Sequence, residues 1–339
     1  MRTVTVLGAG SWGTALAVHL GRAGHDVRLW GRDSALVDEM AARRANAVYL
    51  PDVPFPDSVS VTHGLAEALR DADLVVSAIP SHGCRMVMRG AAPSLAAHAV
   101  IVSATKGLEA GTLLRMSEVI AQETGATHPV VVLSGPSFAV EVARQLPTAI
   151  LAASQDDAAI ELVQHEFRGP YFRLYGSDDV IGVEIGAAMK NIIAIAAGVV
   201  EGLGLGHNAL AALITRGLAE LTRLACAAGG RRETLAGLSG LGDLVLTCTG
   251  TLSRNRHVGL ELARGRTVPE ILTGMKMVAE GVLTTGAALA LGERYGVELP
   301  ITTQMAEVLS GRTDVRTALD VLMLRRQRAE AETGRREIG

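Results

Sequence analysis

The tightest constraint on this chain lies in its first 13 residues. Thr3 to Leu7, TVTVL, suits a buried β-strand and runs directly into Gly8-Ala9-Gly10-Ser11-Trp12-Gly13, which opens an apolar helical stretch. A GxGxxG turn carries little information alone, but between a strand and a helix it points to a dinucleotide. In that setting Gly8 permits the tight turn, Gly10 lets backbone approach the pyrophosphate, and Gly13 allows close packing of helix on strand. Helix N-terminal amides then face the phosphates. A glycine-rich turn with no ligand is the bland alternative.

The rest of the first half fits such a beginning. Short β-rich runs alternate with helical stretches at Asp26 to Trp30, Val59 to Thr62, Leu74 to Ile79, Val100 to Ser103, Val130 to Leu133 and Ala149 to Ala152. Runs such as LVVSAI and VVVL are continuously apolar, as expected of parallel strands covered on both faces. Leu50 to Pro56 is proline-rich and predicts a loop. From about Ser177 the pattern becomes helical, with Ser177 as N-cap and Asp178 and Asp179 near the positive helix end. Gly186, Ala187 and Ala188 would let other backbone come close. Further helices are expected over Asn208 to Ala228, Arg254 to Ala263, Gly281 to Tyr295, Ile301 to Leu309 and Val315 to Arg325. The fold class is therefore α/β, a Rossmann-like doubly wound N-terminal domain over 1–178 followed by an all-helical substrate domain over 179–339. No internal repeat is visible, and the charged tail from Arg325 to Gly339 is expected to fray.

Composition removes several function classes. A net charge of −3 with no long like-charge run argues against a nucleic-acid partner. The opening strand leaves no room for a signal peptide, and apolar stretches such as Ile192 to Val200 fall short of the roughly 18 residues of a membrane span. A cytoplasmic protein without a membrane span is expected. Cys84, Cys226 and Cys248 are scattered without CxxC spacing, and the nine histidines form no ligand pattern, so neither disulfide nor metal site is expected. Lysine is nearly absent. Lys106, Lys190 and Lys276 stand against 29 arginines. Arginine serves on a solvated surface but keeps its proton, whereas a partly buried lysine can release one. The surviving lysines are thus candidates for chemistry, Lys276 least so.

Two further segments should reach the ligand crevice. Lys106 in SATKGLE and Ser134-Gly135-Pro136-Ser137 each follow a strand, and ligands bind outside the carboxyl ends of strands in open α/β sheets. SGPS is not a GxSxG elbow, which argues against a serine hydrolase. Lys190 on the first helix of the second domain could form the opposite wall and protonate a developing alkoxide. Downstream, GLSGLGDLVLTCTG offers Asp243 and Thr247, and LSRNRH offers Ser253, Arg254 and Asn255. Asp243 could hold Lys190 by charge, and Arg254 at a helix start would suit a phosphate dianion. By spacing alone these residues serve equally as caps and surface groups. At the end of the second strand, Trp30-Gly31-Arg32-Asp33 leaves the ribose open: Arg32 suits the 2′-phosphate of NADP, and Asp33 sits slightly late for the ribose carboxylate of NAD. NADP is favoured over NAD.

GAGSWGTALA, SATKGLE, LSGPSFAVEV, EIGAAMKNIIAIAAG, GLGDLVLTCTG, LSRNRHVG and VAEGVLT occur in order along the whole chain. As a set they resemble the NAD(P)-dependent glycerol-3-phosphate dehydrogenases of bacterial type. The resemblance implies reduction of dihydroxyacetone phosphate to sn-glycerol 3-phosphate, a glycerophospholipid precursor, by a homodimer. It implies Lys190 as the catalytic acid/base, Lys106 against substrate and cofactor, and Gly135, Ser137, Asn191, Asp243, Ser253, Arg254 and Asn255 around the substrate. Ser11, Trp12, Arg32, Ala139, Arg254, Val278 and Glu280 would contact the cofactor. Rival readings are a related hydroxyacid or phosphogluconate dehydrogenase and a non-catalytic NADP sensor on the same fold. Lys106, Asp243 and the SRN segment argue against the first, and the retained lysines against the second.

Overall fold

The computed structural model describes residues 1–275 and 278–326, so Lys276 and the tail from 327 lie outside the described residues. The chain lays down β1 (Thr3–Leu7), β2 (Asp26–Trp30), β3 (Ala45–Asn46), β4 (Leu50–Pro54), β5 (Val59–Thr62), β6 (Leu74–Ser77), β7 (Val100–Ser103), β8 (Val130–Ser134), β9 (Thr148–Ala153) and β10 (Phe172–Ser177). Eight of these form one sheet in the order β10-β9-β8-β7-β6-β1-β2-β5. The chain moves outward from β1 to β2 and β5, then returns to β6 on the other side of β1. That reversal is the switch point where open α/β sheets bind ligands.

Alternation along each strand builds two cores. Val4 and Val6 of β1 and Val76 of β6 join one face with Leu16 and Leu20 of the helix Ser11–Arg22. Leu7, Val75 and Ile101 join the other with Met88 and Ile120. Parallel register pairs Leu7 with both Trp30 and Ser77, and Ser77 with Ser103. The strands therefore end level, and the loops after them open on one edge.

Several expectations need correction. β8 and β9 pair antiparallel, and β10 then pairs parallel to β9, so the last two strands oppose the rest. Hydrophobic runs report burial, not direction. The proline-rich segment is not all loop: β4 pairs antiparallel with β3. This small hairpin backs the glycine turn, because buried Asn46 donates to the Ala9 carbonyl and to Thr14 Oγ1, each at 2.9 Å. Ser177 ends β10 and is not the N-cap; Asp179 caps the next helix, accepting from Gly182 N at 2.8 Å.

That helix, Val180–Gly202, is the axis of the second half. At 23 residues, with a mean hydropathy of 1.7 over its most apolar 18-residue window, it is long and apolar enough to cross a membrane, contrary to the expectation that apolar stretches fall short, yet 89% of that window is buried in the protein. The helices Gly206–Ala227, Arg254–Ala263 and Glu280–Tyr295 pack on it. Gly186 admits backbone as anticipated, since a Cβ there would fall 3.1 Å from the Ser239 carbonyl oxygen, but the closest approach along this helix lies farther on. A Cβ on Gly198 would fall 1.9 Å from the Arg256 carbonyl oxygen, and one on Gly259 1.9 Å from that of Ile195. Backbone thus touches backbone where Val180–Gly202 crosses Arg254–Ala263.

Candidate active site

The glycine turn has the form its sequence demands. Gly8 has φ +112°, and a Cβ there would lie 2.7 Å from the Ala78 carbonyl oxygen beyond β6. At Gly13 a Cβ would lie 1.9 Å from the Gly8 carbonyl oxygen, so helix and turn meet without room for a methyl group. Gly10 differs, since a Cβ there would meet nothing within 4 Å. It is the N-cap of Ser11–Arg22, supplies no side-chain cap, and is followed by no acidic residue in the first turn. Uncapped amides at the positive end of a helix favour an anion. The Trp12 indole N–H beside them is buried and has no partner among the described residues. An open cradle with an unmatched donor fits the pyrophosphate of NAD or NADP.

Ser11 Oγ donates to the Tyr49 carbonyl at 2.6 Å, tying the turn to the hairpin. Beyond β2, Asp33 caps the helix Ser34–Arg43 by accepting from Ala35 N and Leu36 N. Arg32 stands exposed in front of it.

The chemistry-bearing side chains converge on one carboxylate. Asp243 is 1% exposed, and its Oδ1 accepts from Lys190 Nζ at 2.5 Å while its Oδ2 accepts from Lys106 Nζ at 2.8 Å. Lys106 follows β7, whereas Lys190 and Asp243 belong to the helical half, so the carboxylate joins the two walls. Lys190 also donates to Thr247 Oγ1 at 2.8 Å, and Lys106 to the Gly135 carbonyl at 3.2 Å. Burial lowers the Lys190 pKa to about 8; Asp243 opposes that shift and Lys106 adds to it. Burial pushes the nearby Cys248 thiol up to about 12, leaving it neutral. Asp243 is delivered by a π-helical turn, Leu238–Gly242, a distortion that often marks functional sites.

Around this centre Gly135 has φ +140°, and Ser137 Oγ donates to its carbonyl at 3.0 Å. Ala139 begins the short helix Ala139–Ala143. Ser253 caps Arg254–Ala263 through Arg256 N. Asn255 Nδ2 donates to Asn191 Oδ1 at 3.0 Å, and Asn255 Oδ1 accepts from Gly281 N at 3.0 Å. The two asparagines therefore tie three helices together, and Asn191 directly follows Lys190 in the chain. Arg254 keeps solvent access but is crowded by protein, which lowers its proton affinity while Glu280 opposes the shift. It remains charged.

Val278 precedes the helix Glu280–Tyr295. Glu280 is engaged across the domains, accepting from Ser81 N at 3.1 Å and Ser81 Oγ at 2.6 Å. A second such contact joins Glu184 to Arg115 and Ser117. Ser81, Glu184 and Asn46 were not singled out from sequence. Only Glu184 had a local signal, as a lone acid inside the apolar run from Val180 to Gly202.

A dinucleotide turn at the sheet's switch point and a buried lysine with a lowered pKa belong to an NAD(P)-dependent oxidoreductase acting on a carbon-bound hydroxyl. The family model for the NAD-dependent glycerol-3-phosphate dehydrogenase N-terminus matches residues 3–160, and that for the C-terminus matches residues 179–320. This chain belongs to that family. A glycerol-3-phosphate dehydrogenase [NAD(P)+] of Koribacter versatilis is 54% identical over 279 residues, spanning 81% of this chain and 83% of the relative. One from Thioalkalivibrio sulfidiphilus is also 54% identical, over 80% of this chain and 82% of its own length. A crystal structure of glycerol-3-phosphate dehydrogenase from Coxiella burnetii matches with a TM-score of 0.92 at 43% identity, covering 96% of this chain and 99% of that one.

Proposed function

We propose that this chain reversibly reduces dihydroxyacetone phosphate to sn-glycerol 3-phosphate for glycerophospholipid synthesis, as a cytoplasmic homodimer that favours NADPH over NADH. The observation that carries the reading is Asp243 shared between Lys190 and Lys106, one oxygen to each. The nucleotide unit would be 1–178 and the substrate unit 179–339, a division supported by β10 ending at Ser177 and the helix beginning at Val180.

The reduced nicotinamide, when bound, supplies hydride to the C2 carbonyl carbon. Lys190 Nζ donates its proton to the C2 oxygen as negative charge develops there. Asp243 and Thr247 orient that ammonium, and Lys106 adds positive charge on the same side. Gly135, Ser137 and Asn191 shape the space around the three-carbon substrate. Arg254, with Ser253 and Asn255 at a helix N-terminus, would receive the phosphate. On the cofactor side, Gly8, Gly10, Ser11, Trp12 and Gly13 would cradle the pyrophosphate, Ala139, Val278 and Glu280 would line its path, and Arg32 would meet a 2′-phosphate. NADPH is favoured because Asp33 is engaged as a helix cap while Arg32 is exposed.

Cofactor absorbance, followed with dihydroxyacetone phosphate and each of NADH and NADPH, tests the reading. Turnover with higher kcat/KM for NADPH is expected. Cofactor binding without turnover would overturn it in favour of a sensor, and turnover only on a 2-keto acid in favour of a hydroxyacid enzyme.

A further inference from the structure

Glu184 is a buried carboxylate that the proposed proton transfer does not use, and its partners all lie in the other half of the molecule. It is 3% exposed on the second turn of Val180–Gly202. Its Oε2 accepts from Arg115 Nη1 at 2.7 Å and from Ser117 Oγ at 2.5 Å, and its Oε1 accepts from Ser117 N at 2.8 Å. Arg115 and Ser117 form the N-terminal end of the eight-residue helix Met116–Glu123, so the carboxylate also faces that helix's positive pole. Glu184 thus ties Val180–Gly202 directly to the nucleotide domain by hydrogen bonds, and Lys190 farther along the helix lies close to Lys106 of that domain. The partners of Lys190 on the same helix, Asp243 and Thr247, belong to the helical half.

Lys190 lies six residues beyond Glu184, about 9 Å along the helix axis. Between them the helix is buried throughout, and farther on it is locked at Gly198 against Arg254–Ala263. A rigid rod fixed at its second turn carries that placement to its fourth. A buried ion pair is a poor source of stability compared with apolar packing, but its directional contacts can select one arrangement among several. From this geometry we infer that Glu184 is a positioning residue, holding the helix of Lys190 against the nucleotide domain so that Lys190 meets Lys106 and Asp243 in register. The inference rests on the reading of Lys190 as proton donor.

The test is Glu184→Gln in the full chain, with Lys190→Arg measured beside it. Glutamine keeps the size and one acceptor for Ser117 N but loses the charge toward Arg115. Misplacement of a catalytic group by about 1 Å costs up to about 100-fold. The expected result, measured well below the variant's Tm, is a kcat lowered about 10- to 100-fold with KM for the cofactor changed less than about twofold. The alkaline midpoint of the pH–rate profile should also move, because the Lys190 proton affinity is set first by burial and then by its distances to Asp243 and Lys106, with Cys248 neutral beside it. A purely structural role would lower Tm while leaving kcat and midpoint as in the parent, and that result would overturn the inference. If Glu184→Gln does not fold, Ser117→Ala and Arg115→Lys decide by the same two readouts. An active Lys190→Arg would sink the functional reading instead, whatever Glu184→Gln does.

Discussion

The two sides of the candidate site are built by opposite means. On the nucleotide side, the turn from Gly8 to Gly13 presents uncapped amides and open space above Gly10. On the helical side, the ammonium of Lys190 is already matched by Asp243 and Thr247, and Asn191 and Asn255 bond to each other. Backbone without side chains suits a long anion whose binding needs close approach. Side chains held by other side chains suit a proton transfer, in which a small displacement matters. One wall is shaped by what is missing, the other by what is fixed.

The largest expected effect falls on the fixed wall. Lys190→Arg keeps a positive charge but not a transferable proton, and kcat should fall about 100- to 10,000-fold while the melting temperature changes little. Steady-state turnover beside calorimetry measures both. A near-parental kcat would remove Lys190 from the mechanism.

The glycine wall can be broken in two distinguishable ways. Gly13→Ala forces a methyl group onto the Gly8 carbonyl and should cost about 3 kcal/mol of stability, read by urea unfolding. Gly10→Ala adds a methyl group that meets no protein atom, so unfolding should be unchanged and NADPH affinity alone should fall. Equal effects on stability would erase the contrast between the two glycines.

A pH profile sharpens the comparison from the lysine side. With a pKa lowered to about 8, Lys190 is protonated below that pH and neutral above it. Reduction needs the proton, so its rate should drop about tenfold per pH unit above 8, whereas oxidation of the alcohol should rise toward 8 and level off. The smallest effect is expected at Arg32. Arg32→Ala should shrink the preference for NADPH over NADH about tenfold, the scale of one exposed charge-assisted contact, as read from the ratio of the two kcat/KM values.

How much of this could be seen in the sequence depended on whether the cause was local. The glycine turn was legible because spacing, preceding strand and following helix lie within 22 residues. Arg254–Ala263 was legible to the residue because Ser253 is a strong N-cap. The Lys190 and Asp243 contact was anticipated, but the sharing of that carboxylate with Lys106 was not, since it joins residues 137 positions apart. β9 was found but not its direction. β10 and the hairpin of β3 and β4 were missed because edge position, charge and proline hide the alternation. Ser81 offered no signal at all, since its partner Glu280 lies 199 residues away.

The apolar helix at the centre has a wider consequence. Val180–Gly202 is as hydrophobic as a segment that lives in lipid, and it meets Arg254–Ala263 through glycines, as packed helices in a bilayer commonly do. Its solvent is the rest of the protein. The rule for ionisable groups within membranes then applies here: each must be rare, matched and useful. Glu184 answers to Arg115 and Lys190 to Asp243, so the residues that look most out of place in its sequence are the ones that an otherwise oily rod keeps matched by charge.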